Sequence, residues 1–114
     1  MIGKAEDVGS FPEAGLLPTS LTFLRFGGFP NMQSLDKNGL ERLTALEQLE
    51  IYDSPKLRFM PEDGLPASLS VMRIYNCPLL KKKWQRKRGK EWRKIAHVPN
   101  IYIDNDMLQG LREY

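Results

Sequence analysis

The sequence predicts an α/β fold: a solenoid of short stacked repeats whose parallel strands line one face. Three observations predict it. One apolar phrase recurs at a nearly constant interval, a proline follows each copy at the same offset, and the chain has the apolar and charged fractions of a folded domain, 41% and 27%.

The phrase is apolar-x-x-apolar-x-apolar. Leu21, Leu24 and Phe26 are followed in step by Leu46, Leu49 and Ile51, then by Leu69, Met72 and Ile74, giving intervals of 25 residues (46 minus 21) and 23 (69 minus 46). Nine positions after each start stands Pro30, Pro55 or Pro78, and two positions later Met32, Leu57 or Leu80. Leucine-rich repeats have units of about 20 to 29 residues with such spacing. Alternation makes each phrase a short strand with every second side chain turned inward, and the proline stops it. The first two copies stay in step to Leu35 and Met60, then to Gly39-Leu40 and Gly64-Leu65. Gly39 and Gly64 are expected to supply turn geometry that other residues resist.

"FPEAGLLPTSL" (11 to 21) matches "MPEDGLPASL" (60 to 69) with one extra residue. Residues 1–20 therefore read as a partial entering repeat cut from a longer array, and 21–80 as leucine-rich repeats, about three in all. Residues 81–104 read as a basic closing segment with a last strand near Ile101 to Ile103, and 105–114 as a C-terminal tail. With nothing upstream to cover Leu16, Leu21 and Leu24, the N-terminal end is expected to fray or to self-associate.

At 114 residues the chain fits one core or one short array. The lone Cys77 forms no internal disulfide, and Asn31, Asn38, Asn76, Asn100 and Asn105 all lack the Asn-x-Ser/Thr context. "MIGKAEDVGSFPEAG" has no signal-peptide core, and no run reaches the ~20 apolar residues of a membrane span. The expectation is a cytoplasmic chain without membrane contact.

"MPEDGLPASLSVMRIYNCPLLKKK" (60 to 83) and "GKEWRKIAHVPNIYID" (89 to 104) carry a closer likeness. Leu65 to Leu69, Cys77 to Leu80 and Gly89 to Ile101 resemble the Leu-Pro-x-Ser-Leu phrase, the Cys-Pro-x-Leu turn and the closing Trp-x-Lys-Ile-Ala-His segment at the C-terminal end of plant nucleotide-binding leucine-rich-repeat disease resistance proteins of the coiled-coil class. The resemblance covers about residues 11 to 104. It implies an intracellular immune receptor whose repeats recognise a pathogen effector or its host target and restrain a nucleotide-binding switch. The chain itself lacks G-x-x-x-x-G-K-[ST]: its Gly-Lys pairs, Gly3-Lys4 and Gly89-Lys90, have no glycine at the preceding spacing, so no nucleotide or other cofactor is expected. Unlike those relatives, "KKKWQRKRGKEWRK" carries Glu91 as its one acid.

No enzyme is expected. One histidine and one cysteine allow a single Cys/His pairing, but His97 lies in the closing "IAHVP" turn and Cys77 at the repeat position held by Phe29 and Ser54 in the other copies, where a buried, inert thiol is expected. "DND" (104 to 106) hints at calcium, yet Leu108 and Gln109 stand where an EF-hand needs oxygen and glycine, so no metal is expected.

Strand alternation leaves Phe23, Arg25, Gly27; Gln48, Glu50, Tyr52; Val71, Arg73, Tyr75; and Asn100, Tyr102, Asp104 on the concave face. Arg25, Gln48, Glu50, Tyr52, Arg73, Tyr75 and Tyr102 are the candidate protein-contact residues, because tyrosine gives large contact area with a polar tip. Alternating charge along Arg25, Glu50 and Arg73 has a second explanation, cross-strand pairing worth about 0.2 to 1 kcal/mol without any ligand.

Residues 81 to 94 hold nine Lys/Arg and one Glu, net +8, while the remainder holds eight basic and thirteen acidic residues, net −5. Trp84, Arg88, Trp92 and Ile95 fall at helical spacing, which lays both tryptophans on the end of the array as a cap. Gly89 weakens a continuous helix, leaving two short ones as the alternative. Lys81, Lys82, Lys83, Arg86, Lys87 and Arg88 would then face water or acidic protein. The competing reading is nucleic-acid binding with Trp84 stacked on a base, or a nuclear-import signal.

Overall fold

The computed structural model describes residues 9–12, 15–61 and 65–110. Residues 1–8, 13–14, 62–64 with Gly64 among them, and 111–114 at the end of the expected tail lie outside the described residues. The fold is mixed α/β, with a five-stranded sheet in the order β2-β4-β5-β6-β7 and a two-stranded sheet pairing β1 with β3. The strands are β1 (Ser10–Phe11), β2 (Phe23–Gly27), β3 (Ser34–Leu35), β4 (Gln48–Tyr52), β5 (Val71–Tyr75), β6 (Asn100–Ile103) and β7 (Asp106–Gln109); the helices are α1 (Lys37–Glu41), α2 (Pro78–Trp84) and α3 (Lys90–Ile95).

The recurring phrase becomes the parallel part of the large sheet. Leu24 pairs with Leu49, Leu49 with Met72 and Met72 with Ile101; one position pair further on, Phe26, Ile51, Ile74 and Ile103 stand in the same row. These eight side chains are between 0% and 8% exposed and form the inner face. Met32, Leu57 and Leu80, the apolar residues two positions past each proline, are completely buried beneath it. The second sheet repeats the pattern on the far side: Phe11 pairs with Leu35, and Ser34 bridges to Phe59 beside Met60.

Strand entry is held in the same way in successive copies. Glu47 N–H donates to Thr22 O, Ser70 N–H to Glu47 O and Asn100 N–H to Ser70 O, at 2.8 to 3.1 Å. At the exits, Gly28, Asp53 and Asp104 donate to the strand alongside. Gly28, Asp53, Asn76 and Asp104, each one residue beyond its strand, all have φ between 47° and 74°. Glycine, asparagine and aspartate tolerate this left-handed region, so the residue after each strand turns the chain out of the sheet.

Gly39 is required for a different reason from the one expected. It lies inside α1, capped by Asp36 Oδ1 accepting from Asn38 and Gly39 N–H, and a Cβ there would sit 2.7 Å from the carbonyl carbon of Pro12. Close approach of the Pro12 backbone, not turn geometry, excludes a side chain.

Both ends also depart from expectation. Phe11 lies 4.6 Å, centroid to centroid, from Phe26 and 5.4 Å from Phe29, so the first strand's core is covered and Leu24 is 8% exposed; Leu21 is half-buried and Leu16 stays 37% exposed. At the other end residues 106–109 are not a tail. Asp104 and Asn105 both take positive φ, 48° and 72°, a combination that closes a two-residue hairpin and brings β7 back antiparallel along β6. Gln109 Nε2 donates to the carbonyls of Val98 and Ala96, fastening β7 to the end of α3.

Candidate functional site

All seven residues expected on the open face of the sheet are there together. Arg25 stands opposite Glu50, Glu50 opposite Arg73 and Arg73 opposite Tyr102, while Gln48 leads its strand and Tyr52 faces Tyr75. Arg25 Nε lies 3.2 Å and Arg73 Nε 3.8 Å from the two oxygens of Glu50, so one carboxylate is shared by two guanidiniums. Each guanidinium also lies over a ring: Arg25 over Tyr52 and Arg73 over Tyr102, both at 4.4 Å from the centroid. Stacking and pairing hold the arginines close to the sheet while their side chains remain 56% and 36% exposed. Gly27 makes this possible at the first strand, since a Cβ there would fall 2.6 Å from Tyr52 Cγ.

A polar row at the strand ends borders this face. Asn76 N–H donates to Asp104 Oδ1 at 2.8 Å, Asn76 Nδ2 to Asp53 Oδ1 at 2.9 Å, and Lys81 Nζ pairs with Asp104 Oδ2 at 3.2 Å. The Asn76 bond, then Lys81, hold the Asp104 carboxyl below the ordinary carboxylate range. Its contribution to stability is present above the unfolded value and lost as pH falls through the lowered folded one. Sequence reasoning missed this row, although the offset of seven residues from Leu21, Leu46 and Leu69 to Gly28, Asp53 and Asn76 was available.

Two helices, not one, close the sheet. Gly89, at φ 98°, separates α2 from α3, and the spacing that joined Trp84, Arg88, Trp92 and Ile95 is kept by three of them: Trp84 and Ile95 are 0% and Trp92 7% exposed, while Arg88 is in solvent. Glu91 supplies what the basic run concealed. Its Oε2 accepts from Met60 N–H at 2.8 Å, its Oε1 pairs with Lys94 Nζ at 3.0 Å, and Lys94 donates to Met60 O at 3.0 Å. The two side chains are 10% and 8% exposed, so a buried ion pair grips the backbone of the preceding repeat from both sides. Glu91→Gln is expected to cost about 2 kcal/mol, as a charge-assisted bond to a buried N–H is weakened, and urea unfolding measures it. A loss no greater than that of an exposed Glu41→Gln control would show the grip to be incidental.

The cations differ in their surroundings. Lys94 is paired in a buried site and Lys81 in a half-exposed one, whereas Lys82, Lys83, Arg86, Lys87 and Arg88 are exposed. Trp84 is fully buried and offers no face to a nucleic-acid base.

The thiol of Cys77 is 2% exposed and donates to Tyr75 O at 3.4 Å, as Ser54 Oγ donates to Tyr52 O one repeat earlier. Burial, chiefly, pushes its pKa up to about 11. His97, the other half of the one possible Cys/His pair, is exposed. Cys77 is expected to react with iodoacetamide at pH 8 at least ~10-fold more slowly in the folded chain than in urea. Equal rates would contradict its burial. Among the described residues no cluster of three or more His, Cys, Asp and Glu could hold a metal, and no helix is long and apolar enough to cross a membrane.

Strands that repeat one apolar phrase in register, with a polar and aromatic row on the outer side, define a repeat-built α/β protein with one face of its sheet open to solvent. The chain is 36% identical over 106 residues to the putative disease resistance protein At3g14460 of Arabidopsis thaliana, which covers 93% of this chain and 7% of that protein. It is 34% identical over 88 residues to the probable disease resistance protein At1g59620 of the same plant, 66% of this chain and 10% of that protein. The homologues of this chain are thus plant disease resistance proteins, and it spans at most a tenth of the length of these relatives. No protein-family profile matches it. No solved structure matches it either.

Proposed function

We propose that this chain is a non-catalytic recognition and regulatory module of a plant intracellular immune receptor. It forms the C-terminal leucine-rich-repeat end of the receptor, a solenoid fragment with 1–20 as entering repeat, 21–80 as repeats and 81–104 as closing segment. Arg25, Gln48, Glu50, Tyr52, Arg73, Tyr75 and Tyr102 make the concave contact face for a protein: a pathogen effector, a host target or the receptor's own switch domain. The observation that carries this reading is the row of stacked arginines and tyrosines, side chains that dominate protein interfaces, already ordered before any partner arrives. Cross-strand pairing accounts for Arg25, Glu50 and Arg73 but not for Tyr75, which lies on the same face and makes no aromatic-ring or ion contact among the described residues.

The test is a defence assay in leaves expressing a full-length receptor that carries this segment. Tyr52→Ala with Tyr75→Ala, and separately Glu50→Arg, are expected to abolish triggered cell death or to release it without a trigger, at unchanged receptor level. Wild-type behaviour of both variants would remove the face from the function. The outer edge of β2, the first strand of the large sheet and unpaired there among the described residues, is the surface by which the segment would self-associate or receive a further strand.

A further inference from the structure

On α2 and just past its end, away from the open face of the sheet, Leu79, Lys82, Lys83 and Arg86 line an open hollow whose walls are mostly carbon, the leucine and the stems of the cations. The charged ends surround it, and no described carboxylate pairs with Lys82, Lys83 or Arg86. Beside it Phe59 is 41% exposed, with the Arg58 guanidinium 5.0 Å and Lys83 Nζ 5.6 Å from its ring centre. Lys87 and Arg88 extend the positive surface beyond the helix end. Lys81 and Lys94 of the same segment have carboxylate partners, Asp104 and Glu91, which Lys82, Lys83 and Arg86 lack among the described residues.

The geometry points to a docking site for an acidic protein segment anchored by one apolar side chain: the Leu79 hollow takes the apolar group, and Lys82, Lys83 and Arg86 take flanking carboxylates. Charge complementarity requires an anionic occupant. The choice between peptide and nucleic acid follows from the floor of the site. A phosphate backbone has no group to place in an apolar hollow, whereas a Leu or Phe flanked by Asp and Glu fills it and pairs the rim at once. Base stacking, the means by which nucleic acid uses apolar surface beside cations, loses its strongest candidate because Trp84 is buried under the same helix. The site is distinct from the row of arginines and tyrosines, so it stands or falls without that reading.

The experiment measures fluorescence anisotropy of the full chain with a short labelled peptide rich in Asp and Glu around one central Phe, at an ionic strength of about 0.15 M. Saturable binding is expected. Lys82→Glu combined with Lys83→Glu and Arg86→Glu should weaken it about 100-fold with an unchanged melting temperature, since three attractions become repulsions. Replacing the peptide's Phe by Ser, or Leu79 by Ser, should weaken it about 10-fold. A Tyr52→Ala, Tyr75→Ala variant should bind as the parent does. Three results would overturn the proposal: no binding of the peptide, binding indifferent to its Phe, or tighter binding of a single-stranded oligonucleotide of equal charge, which would make the patch a nucleic-acid surface.

Discussion

Leu49→Asp is expected to unfold the chain, while Gln48→Asp, one residue earlier on the same strand, leaves it folded. Leu49 is 0% exposed and sits in register between Leu24 and Met72, in the middle of the inner row. A carboxylate there either remains charged without a partner or takes up a proton, and both routes cost several kcal/mol. Natural domains have about 5 to 15 kcal/mol in total, and in a repeat array the loss falls on two neighbours at once. Gln48 points outward, so the same charge meets water. Thermal melting followed by circular dichroism decides: comparable loss from both variants would mean that the two faces of β4 are wrongly assigned.

Trp84→Ala is expected to lower stability by about 3 to 5 kcal/mol, the usual scale for a fully buried large aromatic, and Trp92→Ala by about 3 kcal/mol. Both indoles lie between the closing helices and the end of the apolar core, Trp84 with no exposed surface at all. Their helices are seven and six residues long, too short to persist alone, so packing is what keeps them helical. Trp84→Phe should recover most of the loss, because the indole N–H meets no acceptor among the described residues and contributes no bond. Changing Lys82 and Lys83 together to Ser should shift stability by less than about 0.5 kcal/mol, as expected for exposed charges. Urea unfolding of the four variants separates the roles: a Trp84→Ala loss no larger than that of the lysine pair would mean that the basic segment does not close the core.

The parallel register was legible because the inner row needs nothing but periodicity. Leu24, Leu49 and Met72 occupy equivalent places in three copies, and stacking equivalent residues is how a repeat buries a face it cannot bury alone. The outer row followed by alternation, since a strand has only two sides. What escaped sequence reasoning involves partners distant along the chain. Glu91 looked like the exception in a basic run, and its role depends on Met60, 31 residues earlier, whose backbone N–H it accepts. Gly39 suggested a turn, yet its constraint comes from Pro12 packed against it. Asp104 to Asp106 looked like a fragment of a metal loop, and positive φ at Asp104 and Asn105 makes it a hairpin instead.

The spacing of apolar residues by itself determined β2, β4, β5 and β6, their order and which of their side chains face inward, because burial of a periodic apolar set admits one register: a one-residue slip would turn every leucine outward. Tertiary structure alone decided how the ends are finished. Phe11 covers Phe26 at one end, and the hairpin strand β7 with the Glu91–Lys94 grip on Met60 completes the other. The same packing gave Lys81 and Lys94 carboxylate partners and left Lys82, Arg86, Lys87 and Arg88 exposed, a distinction absent from the run of lysines and arginines. Periodicity encodes contacts between equivalent positions, whereas capping joins unlike segments whose match is one of shape and charge and leaves no repeat to read.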